Sequence, residues 1–170
     1  MPGIWIDLRG PIVGTTAYDG GKLVGRDITI NLPAVTPVTA DFKAMGTLTL
    51  PVPGQIEAME ATITKIGVDL GLRSLVKMDS KTIEYRWVQN VVHADGTQSV
   101  EGCKAFLRSV SKGIPAIGLE PGSSNENELA FAVSRYQLFV AGVEFWLIDQ
   151  LGPIQRIDGK DYAKDLVSLL

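Results

Sequence analysis

Residues 136–162, YQLFVAGVEFWLIDQLGPIQRIDGKDY, constrain the fold of this 170-residue chain more than any other stretch. Two runs rich in β-branched and aromatic residues, 136–140 and 143–148, flank Ala141-Gly142. Glycine reaches the positive φ that a tight turn between antiparallel strands demands, so the segment predicts strand, turn, strand. Ile148-Asp149 follows, then a short extended piece. Asp158-Gly159-Lys160-Asp161-Tyr162 then marks a turn before a final helical segment at 163–170. An isolated hairpin is marginal in water, so this unit needs further strands to cover its apolar side.

Period-two patterning supplies them. At 27–32, Ile28, Ile30 and Leu32 alternate with Asp27, Thr29 and Asn31. At 57–66, Met59, Ala61 and Ile63 alternate with Glu60, Thr62 and Thr64. At 82–92, Ile83, Tyr85 and Trp87 share one face and Glu84 and Arg86 the other; Ala94-Asp95-Gly96 then turns into a partner strand near 99–110. Residues 38–52 are strand-like but interrupted at Gly46, and Pro51 and Pro53-Gly54 signal a turn. Val68, Leu72, Leu75 and Val76 recur at helical spacing, which predicts one short helix over 68–78. Residues 1–26, rich in Gly and Pro, are expected to form a loop or arm, and residues 113–128 a loop. No repeat or linker divides the chain, so a single domain over 1–170 with an N-terminal arm at 1–22 is expected. The fold class is mainly β (α+β): packed antiparallel sheets, sandwich- or barrel-like, with one flanking helix.

Composition narrows the function. A hydrophobic fraction of 45% suits an ordered chain with a core of its own. Net charge is −3, and no basic run occurs, which disfavours a protein that clamps phosphate backbones. One cysteine excludes an intrachain disulfide and a thiolate cluster, and a reducing compartment is the natural setting. The N-terminal MPGIWIDLRG carries no signal-like apolar stretch, and no apolar run reaches membrane-spanning length.

Chemistry-bearing residues are sparse. His93 is the sole histidine, beside a hairpin turn and without a Gly-x-Ser-x-Gly elbow, and reads as a solvated strand-end residue. Cys103 lies mid-strand and reads as a small buried hydrophobe. Glu57 with Glu60, and Asp158 with Asp161, flank turns and match no calcium-loop spacing. Neither a phosphate-binding loop nor a dinucleotide fingerprint occurs. Trp5, Trp87 and Trp146 lack a basic groove around them, so core or subunit packing is expected. No catalytic, cofactor-binding or metal-binding residue is therefore assigned, and the chain is not expected to be an enzyme.

In order along the chain stand Ile30-Asn31-Leu32-Pro33, the segment GTLTLPVPGQIEAME at 46–60, Gly102 before a strand with Gly113 to Gly118 after it, and the closing hairpin with Ile148-Asp149 and the Asp158–Tyr162 turn. This succession, spanning roughly residues 23–162, resembles the major tail tube proteins of contractile-tailed bacteriophages and tail-like bacteriocins.

The resemblance implies two packed antiparallel sheets with a flanking helix, six copies closing into a ring, and rings stacking into a rigid tube inside a contractile sheath. It implies as partners the chain itself, the sheath, baseplate and tail terminator proteins, and a tape measure protein in the lumen, with DNA passing unbound. Synthesis in the host bacterial cytoplasm and a place inside the sheath of a virion or tail-like particle go with it. Ring closure would pair each exposed sheet edge with the next subunit. On this basis the 41–55 segment, with Phe42, Met45 and Leu48, reaches the adjacent ring; the alternative is a hairpin covered within the monomer. Asp41, Glu57 and Glu60 are candidates for a lumen wall that repels DNA, and the alternation equally allows them outside. The inner tube of a type VI secretion-like machine and a monomeric β-barrel binding module are the competing expectations.

Overall fold

The computed structural model describes residues 7–170, so Trp5 lies outside the described residues. Among the described residues, twelve strands and two short helices follow one another. A long antiparallel hairpin system comes first: β1 (Leu8–Asp19) and β2 (Lys22–Arg26), with β3 (Thr29–Asn31) after them. Residues 1–26, expected to be a loop or arm, thus hold two strands from Leu8 onward. The physical reason is that β1 absorbs its Gly and Pro in register shifts between Arg9 and Gly14, where it faces β7 (Lys81–Val92) on one side only.

β4 (Pro37–Lys43) and β5 (Thr47–Ile56) form a separate two-stranded sheet. Pro51 and Pro53-Gly54 do not end this hairpin as expected. β5 runs through them to Ile56, because a two-stranded ribbon leaves one backbone edge of each strand without a ladder, where a missing N–H costs little. β6 (Met59–Ile66) and the helix α1 (Leu70–Leu75) come next, and β7 follows. β8 (Gln98–Ser111) and β9 (Glu126–Val140) complete the long central strands, and β10 (Val143–Asp149), β11 (Ile154–Ile157) and β12 (Lys160–Asp161) close the sheet. The chain ends in a second helix, α2 (Lys164–Leu169), within the final helical segment expected at 163–170 beside the one flanking helix.

The ten-stranded sheet runs β12-β11-β10-β9-β8-β7-β1-β2, and it branches at β9. One edge of β9 pairs with β6 through Glu126 to Val133 and then with β10 through Arg135 to Val140. Ser134 stands at the changeover, its carbonyl accepting from the Gln150 N–H at 3.0 Å. The branch folds β3 and β6 over the central strands, and the sheets do not close into a barrel. The first three residues of β9 fall inside the stretch expected to be loop; their pairing with β6 orders them.

Alternating side chains of β6, β7, β8 and β9 meet in the core, led by Ile63, Ile83, Tyr85, Leu107 and Phe131, with Leu72 and Leu75 of α1 covering one side. Burying each large apolar side chain contributes about 1.5–3 kcal/mol. The Ala141-Gly142 turn has φ of 50 and 80, positive at both positions, as a two-residue primed turn requires. Asp69 caps α1: its carboxylate accepts from the Leu72 N–H at 2.9 Å and from Lys65 at 3.2 Å, and the buried Lys65 ammonium also donates to the Val24 carbonyl at 2.8 Å.

Candidate assembly surfaces

The β4–β5 ribbon stands on the molecule as a separate unit. Its register pairs Asp41 with Thr49, Phe42 with Leu48 and Lys43 with Thr47, so Phe42 and Leu48 share a face. Ala44 N–H donates to Gly46 O at 3.0 Å and closes the tip, with Met45 and Gly46 both at positive φ. The conformation throws Met45 wholly into solvent, with Phe42 51% and Leu48 47% exposed. All ten residues from 41 to 50 are exposed. The ribbon therefore carries three apolar side chains, Phe42, Met45 and Leu48, that no part of the same chain covers fully.

The ribbon is fastened at its root. The Glu57 N–H donates to Thr36 O at 2.8 Å, and Gln150 Nε2 donates to Ile56 O at 3.0 Å. Leu166 of α2 packs onto Gly54 of β5, where a side chain would collide with it.

The three acidic residues fall on different elements. Asp41 lies on the ribbon and accepts from the Thr49 hydroxyl at 2.7 Å. Glu57 is exposed between β5 and β6. Glu60, on the exposed side of β6, pairs with Lys112 at 2.8 Å.

Two further surfaces had no clear signal in the sequence. The outer edge of β1 is covered by β2 only from Thr16 onward, which leaves Leu8, Ile12 and Val13 exposed beside a backbone edge that no strand among the described residues pairs. Glycines and proline masked the strand pattern there. Within the 113–125 loop, Ile114 and Leu119 are more than 70% exposed. Apolar residues in a loop have no periodicity to reveal them.

His93 bridges Asp7, 3.3 Å from Nδ1, and Ser99, whose hydroxyl is 2.8 Å from Nε2. This is the order of a hydrolytic triad, but the three sit at the exposed end of the β7–β8 hairpin and line none of the larger cavities. The bridge ties the hairpin end to the start of β1. Cys103 is buried, and burial pushes its thiol up, with Glu101 nearby adding to the effect. Among the described residues no group of three His, Cys, Asp or Glu could hold a metal ion, and no helix is long and apolar enough to cross a membrane.

A mainly antiparallel β fold with a projecting apolar ribbon and open sheet edges defines a building block for assemblies of like chains. The family profile described as Phage tail tube protein FII matches residues 14–170, and the chain belongs to that family: it is a structural tube protein of a phage tail or tail-like system. Among solved structures, one chain of the sheath-tube complex of PVC, an extracellular contractile injection system, in its extended state is similar with a TM-score of 0.53 at 10% identity, over 76% of this chain and 90% of that one. A chain of the sheath/tube terminator assembly of the same system matches with a TM-score of 0.52 at 10% identity, over 76% of this chain and 96% of that one. No curated protein matches the sequence.

Proposed function

We propose that six copies of this chain close into a ring, and that rings stack head to tail into the inner tube of a contractile tail. The carrying observation is the β4–β5 ribbon. A two-stranded sheet with Phe42, Met45 and Leu48 in solvent has no place on an isolated molecule, and every place between stacked rings. The free edge of β1 serves lateral closure, because a sheet edge paired with a neighbour's strand cannot template uncontrolled aggregation. The likeness to chains of a sheath-tube complex and of a sheath/tube terminator assembly supports a sheath outside the tube and a terminator at its end. Baseplate and tape measure proteins complete the partner set, and the tube sits inside the sheath of a particle assembled in a bacterial cell. Asp41, Glu57 and Glu60, all exposed, are assigned to the lumen wall, where Asp41 and Glu57 repel passing phosphates and the charge of Glu60 is offset by Lys112. The chain acts through its surfaces and carries out no reaction.

A type VI secretion-like tube would use the same surfaces; a monomeric binding module would leave the ribbon unexplained. Light scattering and negative-stain microscopy decide between assembly and monomer. Purified protein should give rings or tubes that grow with concentration. Phe42→Asp should abolish stacking while the β circular dichroism spectrum stays unchanged. A strictly monomeric species at high concentration, or undiminished tubes from the variant, would reject this function for the ribbon.

A further inference from the structure

Head-to-tail stacking of identical subunits needs two different patches on one chain, one fitting the other. The ribbon tip is a knob, and the same molecule holds a recess of matching chemistry. A groove of about 330 Å³ opens beside the 33–37 segment, lined by Pro33, Val35, Ile56, Tyr136, Trp146 and Ile157. Tyr136 and Trp146 meet edge to face with ring centroids 5.7 Å apart. Burial pushes the Tyr136 hydroxyl up to about 12, with the Trp146 indole N–H nearby pulling weakly the other way. That N–H is itself buried without a hydrogen-bond acceptor in bonding geometry. Gln155 apart, the residues that line the groove are apolar or aromatic, which suits a side chain without charge.

Its position relates it to the ribbon. Pro37 and Ile56, the first residue of β4 and the last of β5, also stand at the groove wall. The ribbon's root and the groove mark one place on the molecule, and the ten residues of β5 carry the tip about 30 Å from it. A stack that repeats by the length of the ribbon brings each tip to the root of the next ribbon.

We propose that Met45 at the tip of one copy seats in this groove on a copy in the adjoining ring, a placement that deepens and rests on the tube function above. A thioether on a flexible unbranched chain fills irregular apolar gaps and packs well at aromatic ring edges, which Tyr136 and Trp146 provide. Phe42 and Leu48, opposite one another just behind the tip, then cover the groove mouth, where Ile157 is 46% exposed. The occupant is a second copy of this chain.

The test joins knob and hole covalently in the full chain. With Met45→Cys and Ile157→Cys combined, mild oxidation of assembled protein should produce a ladder of disulfide-linked oligomers on a non-reducing gel, collapsing to monomer on reduction. Buried Cys103, with its raised thiol, does not compete. Neither single variant should give a ladder. Tubes from the double variant without a ladder would overturn the proposal, and so would cross-linked dimers from Met45→Cys alone, which would mean that tips meet tips. A second variant avoids disulfide chemistry: Ile157→Trp fills the groove and should raise the critical concentration for tubes about tenfold with folding intact. An unchanged critical concentration would also overturn it. Wild-type protein that never assembles would instead sink the tube function itself, and with it this seat.

Discussion

Gly71 sits within α1 against the backbone of Val24, whose carbonyl oxygen occupies the space that any Cβ would need. In the sequence this glycine registers only as a weakness in a helical pattern, because the strand it touches lies 47 positions earlier and leaves no local trace. Two effects oppose each other in Gly71→Ala. Helix propensity favours alanine by about 1 kcal/mol, whereas forcing a methyl group into a packed backbone contact typically costs about 1–3 kcal/mol. The obstacle is backbone and cannot rotate away, so the variant should lose stability, with the melting temperature lowered by roughly 2–6 °C. Ala141 is the opposite case. Its φ of 50 is a left-handed conformation that costs an L-residue roughly 1–2 kcal/mol, and asparagine tolerates it far better. Ala141→Asn should therefore raise the melting temperature in the same thermal scan. Equal and unchanged melting points for both variants would show that neither backbone environment governs stability as described. The turn itself was legible from Gly142, but the strain at Ala141 was not, since either a glycine or an alanine can occupy that place in a pattern.

Among the elements, the ribbon and the central strands differ in what holds them. β8 is flanked by β7 and β9, and its ladders are backed by the core. β4 and β5 are held by each other, and beyond that at their root, by hydrogen bonds, by Ile56 packed against the core and by Leu166 on Gly54. A two-stranded hairpin is marginal alone, so the ribbon belongs to the low-stability end of the molecule. Hydrogen exchange read by mass spectrometry should show residues 38–56 exchanging orders of magnitude faster than β8 in unassembled protein, and becoming protected once tubes form. Equal protection in both states would mean that stacking does not use the ribbon. Strand positions with clean alternation, such as Met59, Ala61 and Ile63, were readable directly, and all three are buried. β1 was not, because period-two patterning records burial and the Leu8–Val13 part of that strand has little of it. What the sequence hides here is the part of β1 that little else in the chain covers.

For the whole molecule, charge is distributed as pairs rather than as a field: Arg9 with Glu101, Arg86 with Glu84 and Arg156 with Glu144 cross or follow the strands of the main sheet. Residue counts disclose a net charge near neutrality but not this pairing, which depends on strand register. The Arg156 guanidinium holds the Glu144 carboxyl below its ordinary range, with Gln137 assisting, and Arg9 with Gln89 does the same for Glu101. For Asp69 burial pushes upward, but the Leu72 N–H and the Lys65 ammonium outweigh it, and its carboxyl is also lowered. A carboxyl lowered in the folded chain binds fewer protons there than in the unfolded one, so protonation favours unfolding. The stabilisation is complete above the unfolded carboxylate range and drains away as pH falls through the lowered folded values. Urea unfolding should give a flat midpoint between about pH 6 and 8 and a falling one below about pH 4.5, where free carboxylates begin to protonate. Because these pairs are partly solvated, each contributes little, and raised salt should shrink the acid effect. Glu144→Gln removes one titrating group while preserving an acceptor for Arg156, so its midpoint should start lower at neutral pH and fall less steeply in acid. A wild-type midpoint that holds level down to pH 3, or a Glu144→Gln curve parallel to it throughout, would show that these pairs do not couple protonation to the fold.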